Sequence, residues 1–519
     1  MAEATYLFRH ALLRDAAYQL QLPGDRARLH GLAFAVIEQI CGGAPAEPLP
    51  LATVERRARN PHPTDAFAGE LAEHARLTIQ VARPDISPQE LEAFRASRQI
   101  YLRRAAEDAD ARYRFGVAVD CWLALAPLVS GVEKGEVLQK AATAASAEGR
   151  PARAQALFEQ ALAVHREAGP SPFEGVVLAN LANLHRDSGR LAEAEEFLHA
   201  ALRIHAKFGA RVFHCYALGN LGNLFLMTGR LEQAEKTLLE ALAMGRDLPD
   251  RRGAGIVLSS LAFVYKESGR VALAERTYHE ALAAHRADGL RRQEGTVTDS
   301  LASLLAETGR SEEAEKMHHL ALAIAREVGD RRNEGSALAS LALRCQASGR
   351  AVEAEANYEQ AIALLRDCGA RRLEGTTLGN LGSLFHETDR NRQAELAHEQ
   401  ALEIHRSLGN RRFEAVALGN LAAIYADTGR RDLAETTYRE AIAIDGEVGH
   451  RRFQGLHSVS FAVFLVERGK IDEARRAWSE GAAILREVGD TAGLRDKVEY
   501  MRPACAEAGI APLDEEAEP

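Results

Sequence analysis

Aromatic residues make up only 6% of this 519-residue chain, and it contains no apolar run near the roughly 18 residues needed to cross a bilayer. A membrane-spanning helix is therefore excluded. Positive charge is also short: 64 Lys plus Arg stand against 74 Asp plus Glu, for a formal charge of -10, so no basic excess exists to neutralise phosphates. Nucleic acid is not an expected partner. Cysteine is sparse, and Cys41, Cys121, Cys215, Cys345, Cys368 and Cys505 form no C-x-x-C pair, which argues against a disulfide framework and against a zinc site. The N-terminal text MAEATYLFRHALLRD lacks the apolar stretch and cleavage pattern of a signal peptide. A reducing, cytoplasmic setting is the expectation. What is present is 46% apolar and 27% charged residues, enough to build a large packed body.

Self-similarity is the main signal. Gly-Arg recurs at Gly149, Gly189, Gly229, Gly269, Gly309, Gly349 and Gly429, with Gly469-Lys470 closing the series and Asp389-Arg390 filling its one gap. All of these positions fall in one 40-residue register without insertion or deletion, which predicts a stack of equal units. Within one unit, Leu418, Leu421, Ala422 and Tyr425 mark the stripe of an amphipathic helix. Gly429 then ends it, because glycine adopts the left-handed backbone without a Cβ clash, and Asp389 is among the few residue types able to replace it. A second helix carries Ala434, Tyr438 and Ala441 inward, and Gly446 with Arg451-Arg452 beyond it is expected to close the unit.

Two positions of the second helix carry the packing. Five residues after the turn stand Ala194, Ala234, Ala274, Ala314, Ala354, Ala394, Ala434 and Ala474, where larger side chains would push the paired helices apart. Nine after it stand Phe158, Leu198, Leu238, Tyr278, His318, Tyr358, His398, Tyr438 and Trp478, which fill the space between neighbouring units.

At these residues the sequence resembles the tetratricopeptide repeat family, whose pattern is legible as Leu218, Gly222, Phe225, Gly229, Ala234, Leu238 and Ala241. The match recurs in about nine units over residues 131–490. The 40-residue period and the text GNLGN at Gly219 to Asn223 resemble the longer units of kinesin light chains. The resemblance implies an all-α fold, a right-handed α-solenoid of stacked antiparallel helix pairs with a concave peptide-binding groove. Thr298, Ser458 and Gly481 depart from the family pattern at apolar or Ala positions.

The flanks differ. Residues 1–41 read as helical with a break at Pro23-Gly24, 42–66 as a Pro/Ala-rich linker, and 67–130 as helical with a degenerate first repeat containing Tyr113, Ala118 and Trp122. Ser87-Pro88-Gln89-Glu90 predicts a capped helix running to about Asp108. Residues 491–519 form a C-terminal cap and an acidic tail ending LDEEAEP, for which disorder is expected. The text FRHALLRDAAY at Phe8 to Tyr18 resembles the end of the ATPase module of bacterial multidomain signalling ATPases, in which such repeats follow the module.

Catalytic patterns are missing. Gly469-Lys470-Ile471 lacks the first Gly and the hydroxyl of a phosphate loop, no G-x-S-x-G occurs, and His279-Glu280 and His398-Glu399 have no His at the spacing of H-E-x-x-H. His165, His205, His285 and His405 recur once per unit, too far apart for shared metal ligation, and His318 and His398 sit in the bulky core slot. No enzyme activity, cofactor or metal is expected.

The candidate binding residues lie on the first helix of each unit. Nine before the turn stand Asn180, Asn220, Asn380 and Asn420, with Ser260, Ser300, Ser340 and Ser460 in other units, and Asn183 and Asn223 extend the row. An Asn amide offers a donor and an acceptor, so a row of them can hold the backbone of an extended peptide, or can solvate the helix or bond to the next repeat. The family's groove Asn occupies the same slot. Acidic residues two before the turn (Asp187, Glu267, Glu307, Glu387, Asp427, Glu467) could favour a basic ligand, but are expected instead to pair with the turn base that follows. The paired arginines from Arg251 to Arg451 are expected to form a solvated structural edge answered by Glu294, Glu334, Glu374 and Glu414, with an anion site as the less favoured alternative. Two functions follow: a non-enzymatic scaffold or adaptor binding a protein or peptide in its groove, or the sensor arm of a signalling ATPase whose module lies in cis or in trans.

Overall fold

The computed structural model describes residues 22–51, 60–80, 86–112, 114–246 and 252–514. Every regular element among them is helical. The chain divides into two compact bodies, Met1–Asn180 and Leu181–Pro519.

In the first body, the Pro23–Ile40, Ala68–Ile79 and Pro88–Ala111 helices pack around Phe34 and Tyr101, whose rings meet edge to face 5.7 Å apart. Ser87 caps the third of these as its sequence predicts: its Oγ accepts from the Glu90 amide at 3.2 Å, and the Glu90 carboxylate accepts from the Ser87 amide at 2.8 Å. Two buried side chains of this body find polar partners. Arg104 Nε donates to Asp65 at 2.6 Å and Trp122 Nε1 to Asp110 at 3.1 Å. The stretch 42–51 carries no helix, and 60–62 leads into a short 3-10 turn, Pro63–Phe67.

The second body is a run of helix pairs, such as Arg411–Asp427 with Arg431–Glu447. Gly429 has φ +76° and Asp389, which replaces it one unit earlier, has φ +57°. Asp389 is the one non-glycine residue with positive φ among the described residues, which is the conformation that its position in the repeat demands. The turn closes through the Arg430 amide to the Tyr425 carbonyl at 2.8 Å, and the next helix starts at once. The closing glycine of the same unit is Gly449, at φ +67°, and not Gly446, which lies inside the Arg431–Glu447 helix. The alanines five residues after the turns are wholly buried, and the bulky residues nine after them are no more than 4% exposed. Thr298 stays buried by donating its hydroxyl to the Glu294 carbonyl at 2.7 Å. Gly481 lets two helices approach closely, since a Cβ there would lie 2.8 Å from that of Ser458.

First helices of successive units touch one another, whereas successive second helices make no comparable backbone approach. Elements on the inner side of a curved stack lie closer together, so the first helices line the concave face. The curvature brings the array back on itself. A Cβ added to Gly189 would stand 3.1 Å from the Gly409 carbonyl oxygen, and Arg412 donates to the Met227 carbonyl at 3.2 Å.

Candidate peptide-binding groove

On each first helix the residues at i, i+4, i+8, i+11 and i+15 share one face, and in the Arg331–Ala347 helix these are Arg332, Ser336, Ser340, Leu343 and Ala347. This face is turned to the concave side. It carries three rows: arginines at the helix starts, small polar residues along the middle, and acids at the helix ends.

The middle row holds the residues singled out from the sequence. Asn183, Asn220, Asn223, Asn380 and Asn420 are half-buried, and their amides have no hydrogen-bond partner among the described residues. Asn180, at the end of the first body, is also half-buried. The serines behave differently. Ser260 and Ser300 donate to their own helix, to the Ile256 carbonyl at 3.3 Å and the Thr296 carbonyl at 3.1 Å. Ser340 donates to Asp299 at 3.1 Å, which also pairs with His318 Nδ1 at 2.7 Å. The row therefore offers free amides in the units of Asn183, Asn220, Asn223, Asn380 and Asn420 and occupied hydroxyls between them. Sequence reasoning missed the apolar residues interleaved with it, Tyr216, Ile256, Phe263 and Leu343, which are 38 to 47% exposed. Their helical register was legible, but not which side of the helix remains uncovered.

The acid row is paired in a way that the sequence did not reveal. Three of its members bond to the preceding first helix, Lys266 to Glu307 at 2.6 Å, Gln346 to Glu387 at 2.8 Å and His386 to Asp427 at 2.7 Å, while Asp187 pairs with Arg186 of its own helix at 3.1 Å. The hydrogen bond to Asp427 raises the pKa of His386 above its usual value. The turn arginines do not answer these acids. Arg230, Arg270, Arg350 and Arg430 instead reach Glu195, Glu235, Glu315 and Glu395 of the preceding second helix at 2.6 to 3.0 Å. They also lie over Phe225, Tyr265 and Tyr425 at 4.4 to 4.6 Å where those rings are present.

The first arginine of each pair is structural, as expected. Arg291, Arg371 and Arg411 bind the buried Glu294, Glu374 and Glu414 at 2.5 to 2.9 Å. Glu334 is met by Arg326 at 2.8 Å. Arg251 lies outside the described residues. Histidines of the recurring position are buried and support no shared metal; no cluster of metal-binding side chains occurs among the described residues. No helix described is long and apolar enough to cross a membrane.

Comparison with known proteins agrees with this architecture. The family described as Tetratricopeptide repeat matches residues 135–207 and 371–447, and the MalT-like TPR region matches 208–371 between them. This chain belongs to the tetratricopeptide repeat family. A shorter match, to Anaphase-promoting complex subunit 5, covers residues 450–501 of this tetratricopeptide protein. No curated protein matches it. Among solved structures, a Rap protein complexed with Competence and Sporulation Factor is 12% identical, covers 66% of this chain and 94% of its own, and superposes with a TM-score of 0.50. A Signal Transduction ATPase with Numerous Domains carrying a tetratricopeptide repeat sensor, from Pyrococcus horikoshii, is 15% identical over 82% of this chain and 74% of its own, at a TM-score of 0.44. A kinesin light chain-like protein of Podosopora anserina is 22% identical over 38% of this chain and 96% of its own, at 0.31. At these identities the likeness concerns the fold alone.

Proposed function

We propose that this tetratricopeptide protein is a non-enzymatic scaffold whose concave face captures an extended or helical segment of a protein partner. The observation that carries this reading is the pairing of unengaged amides with uncovered apolar side chains on one face: Asn220 and Asn223 stand beside Tyr216, and Ile256 and Phe263 follow on the next first helix. Amides without intramolecular partners can hold a peptide backbone whatever its side chains, while the apolar residues supply area for burial. A Rap protein of similar fold has been solved complexed with Competence and Sporulation Factor. The segment that supports an ATPase connection, Phe8 to Tyr18, lies outside the described residues.

The test is a selection from a random peptide library with the full chain, followed by titration of the enriched peptides. Asn220→Ala with Asn380→Ala and Asn420→Ala should weaken them by at least about tenfold, the loss of two or more net hydrogen bonds. Failure to enrich any peptide, or equal binding to the triple variant, would rule the groove out.

A further inference from the structure

From Arg291 onward the second arginines of the pairs form a row along the starts of the first helices: Arg292, Arg332, Arg372, Arg412 and Arg452. The first and last of these five are neutralised within the chain. Arg292 Nε binds Asp330 at 2.6 Å and Arg452 Nε binds Asp490 at 2.6 Å. Each of these aspartates also caps the following first helix, accepting from the Asn333 amide at 3.1 Å and the Gly493 amide at 3.0 Å. One carboxylate thus joins an arginine of one unit to the helix start of the next.

In the three units between, that carboxylate is missing. The equivalent positions hold Ala370, Asn410 and His450, and none of them caps its helix. The backbone is the same throughout: the amides of Asp330, Ala370, Asn410, His450 and Asp490 all donate to the carbonyl five residues earlier at 2.8 to 2.9 Å. Arg412 is engaged with the Met227 carbonyl, and His450 turns to Asp445 at 3.2 Å. Arg332 and Arg372 have no hydrogen bond or ion pair among the described residues. Arg332 is reached by solvent, yet it stands in the hollow of the concave face, where the surrounding protein and the guanidiniums of Arg372 and Arg292 push its pKa down against the pull of Asp187 and Asp330. In a chain of net charge -10, two neighbouring cations without an ion pair among the described residues stand on the concave face beside an uncapped helix start.

We propose that Arg332 and Arg372, with the uncapped start of the Arg371–Glu387 helix, bind carboxylates of an acidic peptide segment lying in the groove, in the place that Asp330 and Asp490 fill from within the chain. The inference rests on the peptide-groove reading and adds a ligand class to it. Neighbouring units repeat at about 10 Å, so the two carboxylates suit acidic residues three apart in an extended segment or seven apart in a helix.

The experiment uses the full chain and a synthetic peptide amidated at its C-terminus, with two Glu three residues apart in a Gly, Ser, Asn and Leu background, beside its Gln twin. The Glu peptide should bind at least about tenfold more tightly than the Gln twin, with the difference shrinking as salt rises. Arg332→Ala with Arg372→Ala should abolish that difference. Ala370→Asp should do the same while raising the melting temperature, because it restores the internal carboxylate and cannot be excused as misfolding. A free C-terminus that binds regardless of the Glu residues would assign the arginines to chain-end recognition and overturn the acidic-segment proposal. Equal binding of the two peptides to wild type, or a Glu preference that survives Ala370→Asp, would overturn it while leaving the groove reading intact. Failure of wild type to bind any peptide in the library selection would remove both.

Discussion

Arg412 reaches back 185 residues along the chain to donate to the carbonyl of Met227 at 3.2 Å. Met227 ends the Arg211–Met227 helix, whose last carbonyls have no partner within the helix and carry the negative end of its dipole. A cation placed there does two things: it satisfies an orphan acceptor and ties one edge of the array to another. Arg412→Ala should therefore loosen the second body without unfolding its helices. The expected result is a larger radius of gyration by small-angle scattering with an unchanged far-ultraviolet dichroism spectrum, and an unchanged radius would show that the contact does not hold the array closed.

The glycine turns allow a sharper comparison at the same seam. Gly189 and Gly229 have nearly the same positive φ, +77° and +73°, so alanine at either meets the same left-handed strain of about 1 kcal/mol. Only at Gly189 would the new Cβ meet another part of the chain, the Gly409 carbonyl at 3.1 Å, while Gly229 opens on free space. Gly189→Ala should expand the molecule and Gly229→Ala should not. Melting temperatures alone would not separate the two variants, but scattering would.

Much of this architecture was legible because the repeat forces local and long-range demands to coincide. Asp389 at a glycine position announced a left-handed turn, and Ala394 and His398 five and nine residues after it announced a close approach and a core slot. The ion pairs were less legible. Glu395 and Arg430 belong to different units, and nothing in either unit says that the turn arginine reaches backward rather than to the acid three residues before it. The same holds for the concave row. The series Asp330, Ala370, Asn410, His450 and Asp490 is plain in the text, but its meaning depends on Arg292 and Arg452 arriving from the unit before.

Buried histidines make the fold sensitive to mild acid. Burial lowers the pKa of His205, His398 and His405 to about 4, and one ring nitrogen of each finds no partner. These groups are neutral in the folded chain above that value, whereas in the unfolded chain they take up a proton near pH 6.5. Stability is therefore fully present above about pH 6.5 and declines as the pH falls toward 4, by as much as roughly 3 kcal/mol for each histidine. His386, raised by Asp427, acts in the opposite sense, but it is partly exposed and its contribution is small. His398→Leu should flatten the acid limb of a melting-temperature profile. Leucine suits the slot, since Leu238 packs against Gly222 where His398 packs against Gly382. A profile of unchanged slope would mean that His398 is not held neutral.

Glu374 tests the structural reading of the first arginines. It is 1% exposed and receives Arg366 Nε at 2.8 Å and Arg371. Glu374→Gln keeps the shape but removes the charge that both guanidiniums bond, so a loss of about 1 to 3 kcal/mol is expected in denaturant unfolding. Glu92→Gln, in the exposed pair with Arg95 at 3.1 Å, should change stability by less than about 1 kcal/mol. Equal effects at the two sites would mean that burial does not strengthen the Glu374 pairs.

Asp330 is the stability counterpart of the vacant carboxylate position at Ala370. It is wholly buried, caps the Arg331–Ala347 helix through the Asn333 amide and holds Arg292 at 2.6 Å, so two donors depend on one side chain. Asp330→Ala removes both bonds and should cost about 1 to 3 kcal/mol, with Asp330→Asn recovering the cap but not the charged pair. The alanine variant also reproduces at Arg292 the arrangement that Arg332 has naturally beside Ala370. If a carboxylate from solution can occupy that place, then millimolar acidic peptide should stabilise Asp330→Ala more than it stabilises wild type in a thermal shift. Equal stabilisation of both proteins would mean that the space left by Asp330 is not accessible to a carboxylate that the chain does not itself supply.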